Sequence, residues 1–185
     1  MNSESETSLD DAAENPLEEF SGCHDGIIRN FDRLRDLVAL IDKTPDSPDI
    51  REIATKLLKF FENVVYEHHA EEEQELFTAV MDCAGGDEES ALAKDYIKRL
   101  VAEHRELESM WKRIEGDVWR LSRGKAASLD ATLADKLAQQ YLAHATFEEQ
   151  TFLPLSARML SKKNLAALGR SLHMRHQDKT APFFI

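Results

Sequence analysis

The sequence predicts an all-α protein, an antiparallel up-down four-helix bundle with a short C-terminal extension. Three observations predict it. Apolar residues recur at three-and-four spacing through four long stretches. Only 7 glycines and 5 prolines interrupt 185 residues, so long helices with few turns are expected. The second half of the chain also repeats a phrase of the first, as expected when two helix pairs are built on one plan.

The elements follow in order. Residues 1–14 form an acidic, serine-rich tail that is expected to be disordered. Asn15-Pro16-Leu17-Glu18 then reads as a cap followed by a first helical turn. Helix one carries Leu17, His24, Ile27, Phe31, Leu34 and Val38 on one face. Lys43 to Asp49 contains two prolines and reads as a connection. Helix two is expected from about Ile50 to Met81, with Leu57, Phe61, Val64, His68, Glu72 and Leu76 inward, before Ala84-Gly85-Gly86-Asp87 breaks it. Helix three spans about Glu88 to Leu121 through Ile97, Leu100, His104, Leu107, Trp111, Ile114 and Val118. After Ser122 to Ser128, helix four carries Leu133, Leu137, Tyr141, His144, Glu148, Phe152 and Leu155. The expected division is a bundle over 15–160 and an extension over 161–185, with a short fifth helix near Leu165 to Met174.

Composition excludes several classes. A formal net charge of −12 argues against nucleic acid and anionic membrane surfaces as partners. No apolar run is long enough to span a bilayer. Two unpatterned cysteines, Cys23 and Cys83, and a start without signal-peptide character predict a cytoplasmic protein.

The chemistry lies in the repeat. His68-His69-Ala70-Glu71-Glu72-Glu73-Gln74 is answered by His144-Ala145-Thr146-Phe147-Glu148-Glu149-Gln150, and each copy continues into two apolar residues in the same register. Each also has a lone histidine upstream, His24 and His104. Four residues apart on a helix is one turn, so His68 stacks with Glu72 and His144 with Glu148. His69 and Glu73 are also four apart, but they continue Leu58 and Glu62 at the rim of the apolar face. The core-facing set is therefore His24, His68, Glu72, His104, His144 and Glu148, with His69, Glu73 and Glu149 outside. A single histidine on an apolar face is commonly a satisfied core residue. Four imidazoles and two carboxylates in one core are not, because each unpaired buried charge costs several kcal/mol. A pair of metal ions removes that cost. Donors without thiolate suit iron or manganese, with zinc as a further option.

These residues resemble the hemerythrin-like (HHE cation-binding) family, over roughly Leu17 to Leu160. The resemblance implies two iron ions, with manganese or zinc as alternatives, joined by Glu72, Glu148 and a bridging oxo or hydroxo group. It implies that His24 and His144 ligate one iron and that His68 and His104 ligate the other. Oxygen-carrying relatives have a further histidine one turn after the third-helix one, where this chain has Glu108. Each iron would then keep an open position, with Glu108 either an added ligand or an exposed edge. The same ligand set occurs in proteins similar to iron-centre repair and nitric-oxide-responsive members.

Three functions fit that resemblance. The first is binding of a small diatomic ligand, O2 or NO, in oxidative or nitrosative stress sensing. The second is a di-iron enzyme that reduces NO or decomposes peroxide and takes electrons from a donor protein. The third is iron handling. Self-association is open.

Overall fold

The structure is a computed structural model that describes residues 16–44, 47–161 and 163–168. The acidic tail, the Asn15 cap and everything after residue 168 lie outside the described residues, including most of the expected fifth helix; residues 163–168 are helical.

Every regular element among the described residues is helical. Helix α1 is Pro16–Lys43. Helix α2 is a run of five segments: α-helix Pro48–Phe60, π-helix Phe61–Val65, α-helix Tyr66–Glu71, π-helix Glu72–Leu76 and α-helix Phe77–Asp82. Helix α3 is Glu88–Ser122. Helix α4 joins α-helix Ala131–Phe147, π-helix Glu148–Phe152 and α-helix Leu153–Met159. No helix among the described residues is long and apolar enough to cross a membrane.

Local chemistry sets the boundaries. Helix α2 starts two residues before the expected Ile50, because Ser47 caps it, accepting from the Asp49 amide at 3.3 Å, and Pro48 needs no amide partner in the first turn. Asp87 and Asp130 cap α3 and α4, accepting from the amides of Ser90 and Leu133 at 2.9 Å. Helix α3 ends where Gly124 takes φ 66°, with the Lys125 amide donating to the Arg120 carbonyl and the Gly124 amide to that of Leu121.

The π segments change which residues face inward. The buried line of α2 runs Leu57, Phe61, Val65, while Val64, which the spacing places inside, is only partly buried. Steps of four residues drift around an α-helix of about 3.6 residues per turn. A π turn holds more residues and cancels the drift. Two of the three π segments begin at Glu72 and at Glu148.

Helix α1 packs on α2 and α4, and α3 packs on the same two. Their apolar faces form two clusters. One contains Ile27, Phe31, Leu57, Phe61, Val65, Leu107, Trp111, Ile114, Leu137 and Tyr141. The other contains Leu17, Leu76, Phe77, Val80, Leu100, Phe152, Leu155 and, from the short helical piece after α4, Leu168. Along every helix the break between them falls at the same feature: His24, His68 to Glu72, His104, or His144 to Glu148.

Candidate metal centre

The six residues singled out by the repeat meet in this polar layer. His24, Glu72, His104 and Glu148 are fully buried, and His68 and His144 nearly so. Glu72 is central. Its Oε1 lies 2.9 Å from His68 Nε2 and 3.8 Å from His24 Nε2, while its Oε2 lies 3.1 Å from His104 Nε2. Glu148 Oε2 is 3.5 Å from His24 Nε2 and 3.8 Å from His144 Nε2. Three sets of donors converge closely enough to hold an ion: His24 with His68 and Glu72; Glu72 with His144 and Glu148; and His69 with His104 and His144. Glu72 is shared by two sets. The family resemblance pairs His24 with His144 and His68 with His104. The rings instead group His24 with His68 and His104 with His144, each at 4.9 Å between centroids, whereas His24 and His144 are 6.5 Å apart.

The outer nitrogens explain why the inner ones point inward. Nδ1 of His24 lies 3.0 Å from Glu149 Oε1, that of His104 2.8 Å from Glu73 Oε1, and that of His144 3.0 Å from Glu103 Oε2. A carboxylate there holds the proton on Nδ1 and leaves the Nε2 lone pair free to coordinate. Arg105 and Arg99 in turn donate to Glu73 and Glu103. Each Glu-Glu doublet thus brackets one imidazole on a neighbouring helix. Glu72 and Glu73 face the two nitrogens of His104, and Glu148 and Glu149 face those of His24.

Sequence spacing misplaces His69. It is not at the rim but 1% exposed, its ring stacked on that of His104 at 4.0 Å and 5°, with Nδ1 3.0 Å from Glu108 Oε1. The signal was present in the adjacent pair His68-His69 and in the four-residue steps Leu57, Phe61, Val65, His69. Spacing also leaves Glu73 and Glu149 outside the site, although each is the second member of a repeated doublet, the signal that marks them as supports of His104 and His24. Glu103 carries no such mark in the sequence, and Glu108 stands out only as the residue one turn after His104.

Charge is concentrated in this layer. Burial alone would lower His24, but the Glu148 and Glu72 carboxylates overcome it and raise the imidazole to about 10. Burial likewise opposes ionisation of Glu72, yet His68, His104 and His24 hold it well below the usual carboxylate range. Glu148 is pushed up by burial and by the charge of Glu72. His69 is pushed down to about 3, mainly by burial. The buried layer draws positive charge to its two carboxylates.

The donor set fits metal ions. Nε2 of His24, His69, His104 and His144, with both oxygens of Glu72 and Glu148, is buried without a hydrogen-bond partner among the described residues. Such orphaned acceptors are costly unless something occupies the space between them. Aromatic rings close both ends. Phe61 stacks on Trp111 at 3.6 Å and Phe31 lies 4.7 Å from Tyr141 on one side, while Phe77 meets Phe152 at 5.2 Å on the other. Tyr141 is buried, and desolvation holds its phenol well above its ordinary value. Between α3 and α4 a recess of about 190 Å³ is lined by Glu103, Glu106, Leu107, Gln140, Ala143 and His144.

Residues 15–156 match the hemerythrin HHE cation binding domain. An uncharacterized protein of Haemophilus influenzae is 23% identical over 164 residues, which cover 89% of this chain and 91% of that protein. With a family match over most of its length, and imidazole and carboxylate clusters able to hold metal at its centre, this chain belongs to the hemerythrin HHE cation-binding domain family.

Proposed function

We propose that the protein is a non-haem di-iron protein that binds O2 or NO at a two-metal site and serves in oxidative or nitrosative stress sensing. The convergence of unpartnered imidazole and carboxylate donors, the imidazoles held by outer carboxylates, carries this reading. His24, His68, His104 and His144 are the terminal ligands, and Glu72 and Glu148 the bridges. The sharing of Glu72 between two donor sets supports its bridging role.

The arrangement of the chain as an antiparallel up-down four-helix bundle over 15–160 belongs to the same reading. It is supported by the order of the layers. Along α1 and α3 the chain meets the Leu17–Leu100 cluster before the polar layer, and along α2 and α4 it meets that cluster after it. Cys23 and Cys83 are not joined in a disulfide, in keeping with a reducing cytoplasm.

The residues divide the work simply. The outer glutamates orient the imidazoles, Glu72 and Glu148 balance the charge of two cations, and the aromatic caps exclude water from either end. A bound iron pair supplies the redox-active centre at which a diatomic molecule is taken up. The recess beside His144 is large enough to admit one.

The test is the iron content of protein purified without added metal, followed by its visible spectrum before and after O2 or NO. Two irons per chain and a spectral change that reverses on ligand removal are expected. Absence of iron overturns the reading. Sustained turnover of NO or peroxide with an electron donor would instead assign an enzyme, and iron release without any ligand response would assign iron handling.

A further inference from the structure

We propose that His69 is a metal ligand in its own right, positioned by Glu108, and that it joins His104 and His144 as a third imidazole at one of the two metal positions. This rests on the metal-centre reading above and goes beyond it by adding a residue outside the repeated motif.

The placement of His69 matches that of the other inward imidazoles in its burial and in its carboxylate-held Nδ1. Its side chain is buried, and Nε2 has no hydrogen-bond partner among the described residues. Nδ1 is held by a carboxylate, Glu108 Oε1 at 3.0 Å, as His104 is held by Glu73 and His144 by Glu103. Arg105 donates to both Glu108 and Glu73, tying the two supports together. The donor atoms of His69, His104 and His144 lie within 4.8 Å of one another. The His69 and His104 rings are stacked nearly parallel, so one of them would turn for both Nε2 lone pairs to meet the same ion. Burial of His69 as a mere packing residue would leave its Nε2 lone pair unsatisfied, a cost of about 1–3 kcal/mol. Coordination removes that cost.

The π turn at Phe61–Val65 makes this geometry available. It rotates the following turn so that His68 and His69 both face the layer, one towards His24 and the other towards His104. Glu108, where the sequence reading left a choice between ligand and exposed edge, is thereby a positioning residue: it reaches the Nδ1 side of His69 and not the inner layer.

The consequence is asymmetry. One position has His69, His104 and His144; the other has only His24 and His68. An ion at the first position would be held by three imidazoles and one at the second by two.

The experiment loads the metal-free full-length protein with ferrous iron anaerobically and counts imidazoles per iron by X-ray absorption, alongside iron titration. Five imidazoles per iron pair are expected in the wild type and four in His69→Leu, whose iron affinity at one position falls about tenfold or more. Glu108→Leu should weaken the same position about ten- to hundredfold, and Glu108→Gln, which keeps an acceptor for Nδ1, should restore it. A wild-type count of four, with unchanged affinity in His69→Leu, overturns the proposal while leaving the six-residue centre standing. Wild-type protein that takes up no iron overturns the centre itself. The wild-type count decides the matter even if a variant fails to fold.

Discussion

Glu73 on α2 reaches His104 on α3, placing its Oε1 2.8 Å from Nδ1 while the neighbouring Glu72 approaches the other nitrogen of the same ring at 3.1 Å. Glu148 and Glu149 repeat this around His24. The doublet Glu-Glu in each phrase thus has two roles, an inner donor and an outer support. This relationship explains why the repeat preserves the pair and not a single glutamate.

The outer supports should therefore matter for metal without touching it. Glu73→Leu and Glu149→Leu should each weaken iron binding about ten- to hundredfold, and the glutamine variants should lose much less. Competition titration with a coloured chelator measures this. Equal affinity for Glu73→Leu and the wild type would show that the contact is incidental.

A shared bridge and a terminal ligand should behave differently. Glu72→Ala and Glu148→Ala should lose both irons, whereas His24→Ala should keep the one on the His104–His144 side. Elemental analysis gives the ratio directly. Retention of one iron by Glu72→Ala would argue that the two positions do not share it.

Removing the metal should lower stability without unfolding the chain. Apolar clusters flank the polar layer on both sides, so helix packing does not depend on the ions. Chelated protein should keep its far-ultraviolet helical signal and melt at a lower temperature, by the mass-action stabilisation that binding supplies. A metal-free form that is random coil at neutral pH would contradict this.

Trp111 is fully buried and stacked on Phe61. Trp111→Ala should cost about 3–5 kcal/mol in denaturant unfolding. Iron content at low denaturant should be retained, because the ring caps the layer without donating to it. Loss of iron from a folded Trp111→Ala protein would place the ring in the centre.

Asp87 offers a test of pH dependence away from the metal layer. Hydrogen bonding to Ser90 holds its carboxyl below the usual aspartate range. A depressed folded value means that the charged cap stabilises above the unfolded value and loses its contribution as pH falls through the folded one. The difference in melting temperature between the wild type and Asp87→Asn should be constant at neutral pH and shrink below about pH 3.9. A difference unchanged across that range would mean that the charge contributes nothing.

Sequence alone was sufficient for the helices and for six of the inward residues. Periodic apolar spacing and the breaks at Lys43 to Asp49 and Ala84 to Asp87 are local signals. Ser47 with Pro48, Asp130 and Gly124 are local too, but spacing alone does not read them, and α2 starts before its expected Ile50. The repeat located His24, His68, Glu72, His104, His144 and Glu148 because a motif preserves its own spacing. Tertiary structure decided what spacing cannot express. An α-helical register places Val64 inside and His69 at the rim, but with the π turns in α2 it is Val65 and His69 that are buried. Which imidazole stands beside which, and the support of His144 by Glu103 and of His69 by Glu108, depend on neighbouring helices. Those partners are distant in sequence, and only the packing of one helix against another brings their side chains within hydrogen-bond reach.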